Sequence, residues 1–225
     1  MRPAAHPTLA ERDAFFAGMA GLSKALGHPV RVRIVSMLSQ GPRSVDAIAG
    51  RTGQSMSTTS AHLHKLAAAG VLRAARRDKR VFYRVADDEA LGLWLQLQRL
   101  ALRTRADLRE VAGAIQREPI ESRPVDELLA AARAGELRLL DLRPPDEYRA
   151  GHLPGARNLP LGELEARLDE VPREVPVVLY CRGLHCVALG RGQRLLLERG
   201  YDARRCVGSV MDWRHAGLDL ATGEE

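Results

Sequence analysis

Cysteine is scarce in this chain: Cys181, Cys186 and Cys206 are the three in 225 residues, and all lie within the last fifty. So few thiols exclude a disulfide scaffold, and their confinement to one region suits local redox or sulfur chemistry in a reducing compartment. No run of about 18 uninterrupted apolar residues occurs, which excludes a membrane-spanning helix. Glu11 and Asp13 stand where a signal peptide needs an apolar core. These absences point to a cytoplasmic protein with no membrane partner. No internal repeat or low-complexity block is visible, so two halves of this length are different modules and not a duplication. The apolar fraction of 45% is sufficient for packed cores.

Charge divides the chain unevenly. Residues 1–120 hold 19 Lys and Arg against 10 Asp and Glu, a net of +9, whereas residues 121–225 hold 15 against 18, a net of −3. A basic half beside a mildly acidic one points to two domains with different partners, nucleic acid being the obvious partner of the first. Pro119 and Pro124 interrupt a helical pattern that runs from about Asp88. The expected division is a basic first domain over 1–117, a linker over 118–124 and a second domain over 125–225.

In the first half, apolar residues recur at spacings of three and four from Ala14 to Ala25 and from Val30 to Leu38, with Gly27-His28-Pro29 breaking between them. Ser44 precedes a short helical stretch, Val45 to Ala49, closed by Gly50 and Gly53. A longer one runs from Ser57 to Ala69. Short helix, turn, longer helix is the helix-turn-helix outline. The second helix opens on Ser55, Ser57, Thr58, Thr59 and Ser60, small hydroxyl side chains suited to phosphates and base edges. His62, further along, is either a DNA contact or a plain surface residue. Two alternating apolar segments between Val71 and Val85 flank the basic turn Arg76-Arg77-Asp78-Lys79-Arg80, the pattern of a β-hairpin lying on a phosphate backbone.

Leu22-Ser23-Lys24-Ala25-Leu26-Gly27-His28-Pro29-Val30-Arg31, Ser57-Thr58-Thr59-Ser60-Ala61-His62-Leu63 and Gly70-Val71-Leu72 resemble the ArsR family of winged helix-turn-helix repressors over roughly residues 15–115. The resemblance implies a homodimer bound to an imperfect palindrome in double-stranded DNA. It also makes the leucine-rich pattern from Leu91 to Ile115 the dimer helix, although such a stripe alone is more often ordinary core. Many relatives sense metals through cysteines in this domain or through His and Asp on the dimer helix. This half has no cysteine, and residues 86–117 have no histidine. Thiolate metal sensing and dithiol switching are thus excluded here, which moves sensing to the second half.

That half alternates helix and strand in an α/β pattern with a mostly parallel sheet, so the whole chain is expected to be multidomain α+β. Val177-Val178-Leu179-Tyr180 reads as a strand delivering Cys181 to the short loop Arg182-Gly183-Leu184-His185-Cys186, with helical spacing resuming at Val187. Loop amides beside a helix N-terminus favour a thiolate at Cys181, and the same donors suit the added charge of a persulfide. Active sites in such sheets gather at the carboxyl ends of strands, where Cys181 stands.

Leu140-Asp141-Leu142-Arg143, Glu147-Tyr148, Gly151-His152-Leu153-Pro154-Gly155-Ala156-Arg157-Asn158-Leu159-Pro160 and Tyr180-Cys181-Arg182-Gly183 are similar to the signature of rhodanese domains over about residues 122–220. The family implies a sulfurtransferase fold in which the matching cysteine, Cys181, accepts sulfane sulfur; Asp141, Arg143 and His152 are expected to support the loop. In many members the loop ends in a basic residue followed by Ser or Thr, and here those places hold Cys186 and Val187. Losing that contact weakens binding of thiosulfate by about 1–2 kcal/mol if it was a charge-assisted hydrogen bond. Cys186 is either a resolving thiol for a Cys181 persulfide or a small apolar residue at the helix start; Cys206 is expected in the core.

The expected function is a transcriptional repressor whose rhodanese domain detects polysulfide, persulfide or thiosulfate through Cys181, with Cys181–Cys186 bridging. The alternative is an enzyme, a sulfurtransferase acting at Cys181 with an autoregulatory DNA-binding domain. No cofactor or metal is expected, three ligands in one cradle loop (Cys181, His185 and Cys186) being poorly aimed for one ion.

Overall fold

The computed structural model describes residues 8–108, 119–183 and 186–223. They form two compact units, Met1–Ala90 and Leu91–Glu225. Among the described residues no helix is long and apolar enough to cross a membrane.

The first unit opens with α1 (Leu9–Leu26), started by a reciprocal cap in which the Thr8 amide donates to Glu11 and the Glu11 amide to Thr8 Oγ1. Gly27 ends α1, and Pro29 begins α2 (Pro29–Leu38) at the one helical position where a missing N–H costs nothing. Arg31 ties the two helices by donating to the carbonyls of Lys24 and Ala25 at the end of α1. A two-residue strand β1 (Arg43–Ser44) leads into α3 (Val45–Thr52). Gly53 then turns the chain at φ +69°, and α4 (Met56–Ala68) follows, capped by Ser55. Strands β2 (Leu72–Arg77) and β3 (Arg80–Val85) pair antiparallel through the two-residue turn at Asp78, itself at φ +53°, and β1 adds to the far side of β3. Ile34, Val35, Ile48, Leu63 and Leu66 are fully buried at the meeting of α2, α3 and α4. Each contributes about 1.5–3 kcal/mol relative to exposure, which fixes the angle of α4.

Most of α5 (Asp88–Thr104) falls in the second unit, where Leu91, Trp94 and Leu95 are its buried residues. The leucine pattern beyond Leu108 lies largely outside the described residues. Strand β4 (Ile120–Glu121), within the stretch read as a linker, is the edge of a five-stranded sheet. The rest of the unit is α6 (Val125–Arg133), β5 (Arg138–Asp141), α7 (Pro145–Arg149), β6 (Arg157–Asn158), α8 (Leu161–Leu164) with a 3₁₀ turn after it, β7 (Val177–Tyr180), α9 (Val187–Glu198), β8 (Ala203–Cys206) and α10 (Val210–His215). The strand order is β4-β8-β7-β5-β6, and every recorded pairing is parallel.

All four residues of β7 are buried because both faces of the sheet are covered, as a parallel sheet requires. Val178, Tyr180 and Leu139 face one core with Leu128, Trp213 and Cys206, while Val177, Leu179 and Leu140 face the other with Leu189 and Leu196. Cys206 is thus a core residue, as expected. On the second face α9 lies so close that a Cβ at Gly192 would stand 2.5 Å from Leu142 Cδ1. This approach carries the first turn of α9 to the carboxyl end of β7. At the sheet edge, the hydrogen-bonded Arg123 guanidinium holds the Glu121 carboxyl down at about 2, against the effect of its burial.

Candidate functional site

The carboxyl end of β7 places Cys181 at 2% exposure, in the core face that packs under α9. The chain then turns through Arg182 and Gly183. Gly183 adopts φ +112°, a conformation that L side chains rarely take, which explains a glycine at this point of the loop. Leu184 and His185 lie outside the described residues. Cys186 is the N-cap residue of α9, half-buried against the same core as Cys181.

The two cysteines pack in the same core cluster, and their surroundings shift them in opposite directions. Cys181 is pushed well above its ordinary range, first by its hydrogen bond to Cys186 and then by burial. Cys186 is drawn from 9.0 down to about 6, first by the hydrogen bond it accepts from Cys181 and then, against burial, by the amides of Leu189, Arg182 and Ala188. The sequence expectation places the effect of the amides at Cys181; here the downward shift falls on Cys186, while the Arg182 amide still acts to lower Cys181. The helix begins at Cys186, so the unsatisfied amides of its first turn serve that sulfur. The site thus sets a buried thiol shifted upward, Cys181, beside a half-buried one shifted downward, Cys186.

Arg182 is clamped by Glu147 of α7 through two hydrogen bonds, Nε to Oε2 at 2.8 Å and Nη2 to Oε1 at 2.6 Å, and the Glu147 side chain is fully buried. Burial works against the charge of Arg182, but the Glu147 carboxylate and the two sulfurs outweigh it and hold the guanidinium above its ordinary value. The sequence carries Glu147 only as part of a motif; its grip on a loop 35 residues away depends on the fold.

Asp141, Arg143 and His152 sit one strand away, beneath Tyr180 and not at the sulfurs. Asp141 and Arg143 form an ion pair with neither side chain exposed; Nη2 to Oδ2 is 2.5 Å, and the Arg143 backbone amide donates to Oδ1 at 2.9 Å. Arg143 also donates to the Gly151 carbonyl at 2.7 Å, fixing the turn into His152. His152 stacks on Tyr148 with ring centroids 3.6 Å apart. The Leu153 amide donates to the Tyr180 hydroxyl at 3.2 Å. Tyr180, the residue before Cys181, is thus hydrogen-bonded to the chain just after His152, and the Arg143 guanidinium lies 6.0 Å from its ring centroid. Among the described residues no cluster of three or more His, Cys, Asp or Glu is gathered to hold a metal.

In the first unit, Ser55, Ser57 and Thr58 are exposed and mutually hydrogen-bonded at the start of α4, with Ser60 half-buried beside them. Thr59 is fully buried and faces the core, so its hydroxyl does not share that surface: the helical repeat turns every fourth side chain inward. His62 is half-buried and packs on His28, the N-cap residue of α2, with ring centroids 4.7 Å apart. Burial, then the neighbouring charges of His28, Arg31 and Lys65, keep it below the ordinary histidine range. Its ring thus packs α4 against the start of α2 while one part of it stays exposed. Arg76, Arg77, Lys79 and Arg80 are all exposed at the hairpin tip.

A model of the rhodanese-like domain matches residues 124–216, and a model of a helix-turn-helix domain matches residues 26–74. The chain is 37% identical over 205 residues to an HTH-type transcriptional regulator of Mycobacterium tuberculosis, Rv0324, with 91% of each chain covered. A sulfurtransferase of Allochromatium vinosum is 28% identical over 106 residues, covering 47% of this chain and 95% of its own. The homodimeric winged helix-turn-helix DNA-binding domain Mb0332 of Mycobacterium bovis shares 31% identity over 46% of this chain and 95% of its own, at a TM-score of 0.43. With similarity to the mycobacterial regulator running through both units, the chain belongs to the ArsR-type winged helix-turn-helix transcriptional regulators that carry a C-terminal rhodanese domain.

Proposed function

We propose that this regulator is a cytoplasmic, dimeric repressor that detects reactive sulfur at the Cys181–Cys186 pair and releases DNA when the pair is oxidised. The observation that carries the reading is the placing of two cysteines in one short loop between β7 and α9, the buried Cys181 and the half-buried Cys186, against the same core. Cys181 attacks the outer sulfur of a polysulfide or persulfide and hands its proton to the Cys186 thiolate. The donor leaves shortened by one sulfur, and Cys181 carries –S–SH. Cys186 then loses its proton and attacks the inner sulfur of that persulfide. The products are a Cys181–Cys186 disulfide and H₂S, the sulfane sulfur being the oxidant that is reduced. The likeness to the Allochromatium sulfurtransferase supports a second reading, steady sulfur transfer through Cys181 with DNA binding independent of it.

Mass spectrometry of the protein after sodium tetrasulfide treatment, with DNA affinity measured on the same samples, separates the two. A Cys181–Cys186 bridge with weakened DNA binding is the result expected. A Cys181 persulfide with unchanged affinity and multiple turnovers establishes the enzyme instead.

On the DNA side, the exposed hydroxyls of Ser55, Ser57, Thr58 and Ser60 and the four cations of the hairpin support contact with phosphates. Arg77→Ala and Lys79→Ala are each expected to weaken binding several-fold on any sequence and to lower the salt slope by about 1. An unchanged slope in a titration across 50–200 mM salt removes the hairpin from the interface.

A further inference from the structure

Within the second unit, the C-terminal half of α5 and the loop after Cys181 face each other across a cleft of about 370 Å³. Leu95 and Leu102 of α5 form one wall, and Val207 forms part of the other. Arg182 and Gly183 of the loop close one side, and Arg99 of α5 reaches Asp212 with Nη2 to Oδ1 at 3.2 Å. Asp212 is otherwise engaged in capping α10 with Ser209.

Two features limit what this cleft holds. Its walls are mainly apolar, and Val207 stands 47% exposed on its lip, a large apolar group with no cover of its own. Its charges also cancel in pairs, Arg182 with Glu147 and Arg99 with Asp212. A hydrated inorganic dianion gains nothing from apolar walls, and with Arg182 clamped by Glu147 it finds only the donors that Arg99 leaves over, too little for two charges. A small carbon-bearing molecule with one carboxylate fits both features. Arg99 spends one N–H on Asp212, and among the described residues no other acceptor takes the rest, which leaves donors of a planar guanidinium for that carboxylate.

We infer that the cleft binds the organic part of a low-molecular-weight persulfide, R–S–SH, with Arg99 holding its carboxylate and the carbon chain against Leu95, Leu102 and Val207. The inference rests on the reading of Cys181 and Cys186 as a sulfur site and names its donor class. Cys181 attacks the terminal sulfur, the bond from that sulfur to R–S breaks, and R–SH leaves with the proton that Cys181 gives up through Cys186. Arg99 is thus a specificity-determining residue, contributed by the helix that the family resemblance assigns to dimerisation. A cleft of this volume lies at the small end of the range for ligand pockets, matching a donor of amino-acid size.

The test compares Cys181 persulfidation rates in the full-length protein with cysteine hydropersulfide, an uncharged alkyl hydropersulfide and sodium tetrasulfide, read by peptide mass spectrometry. Arg99→Ala is expected to slow cysteine hydropersulfide about tenfold, the loss of a charge-assisted contact, and to leave the other two donors unchanged. Arg99→Lys is expected to recover part of the rate. Equal slowing with all three donors makes Arg99 merely structural and overturns the inference, as does no slowing with any. A wild-type protein that reacts with tetrasulfide but shows no preference for the carboxylated donor overturns the inference alone. A wild-type protein that takes sulfur from none of them overturns the sulfur-site reading with it.

Discussion

Asp141→Asn is expected to destabilise the second unit by about 3–5 kcal/mol, because it leaves the Arg143 guanidinium buried without its counter-charge. Neither side chain of this pair is exposed. Burial alone drives Arg143 toward neutrality, and the Asp141 carboxylate reverses that and holds its charge. Asn retains the shape and one oxygen, so it keeps the turn in which the Arg143 amide donates to Asp141, but it removes the charge. Against a total stability of about 5–15 kcal/mol for a domain, the loss is large. Trp94 and Trp213, the only two tryptophans, both lie beyond Leu91, so intrinsic fluorescence follows this unit alone. The denaturant midpoint is expected to fall steeply, and pairing the change with Arg143→Met is expected to restore much of it, since removing both charges removes the desolvation penalty. A loss under 1 kcal/mol from the single change shows that the pair does not hold the unit together.

The long elements were legible because their hydrophobic periods are long. The reading of helical spacing from Val187 agrees with the start of α9, and that of the hairpin between Val71 and Val85 with β2 and β3. β4 and β6, two residues each, were not legible, because their existence depends on parallel partners far away in the chain, Cys206 for Glu121 and Asp141 for Asn158. Site residues divide in the same way. The Cys181 loop could be found from its strand and helix, but Glu147 beneath Arg182, the inward turn of Thr59 and the packing of His62 on His28 depend on tertiary approach.

Cys181→Ala is expected to make Cys186 less reactive at slightly acidic pH, although Cys181 is itself the deeper thiol. The largest influence holding Cys186 near 6 is the hydrogen bond it accepts from Cys181, ahead of the amides of Leu189, Arg182 and Ala188. Without it, the amides are left to oppose burial, and the thiol moves back up toward its ordinary range. At pH 6.5 a thiol near 6 is mostly ionised, and one near 8.5 is about 1% ionised, so full loss of the shift reduces alkylation by well over tenfold. The retained amides make about tenfold the expected result. In the wild-type protein, iodoacetamide is expected to label Cys186 with a half-maximal rate near pH 6, while Cys181, at 2% exposure and holding the shared proton, stays largely unlabelled. Cys186→Ala has the opposite effect on its neighbour. It removes the leading cause of the upward shift at Cys181, whose thiol then ionises more readily and is limited by burial alone. Peptide-resolved labelling against pH in the three proteins checks all of this. A wild-type half-point near 8.5, or an unchanged Cys186 profile in Cys181→Ala, breaks the pairing. If the pairing holds, no outside base is needed for sulfur to enter: Cys186 takes up the proton of the attacking thiol and becomes the second nucleophile once it gives that proton up.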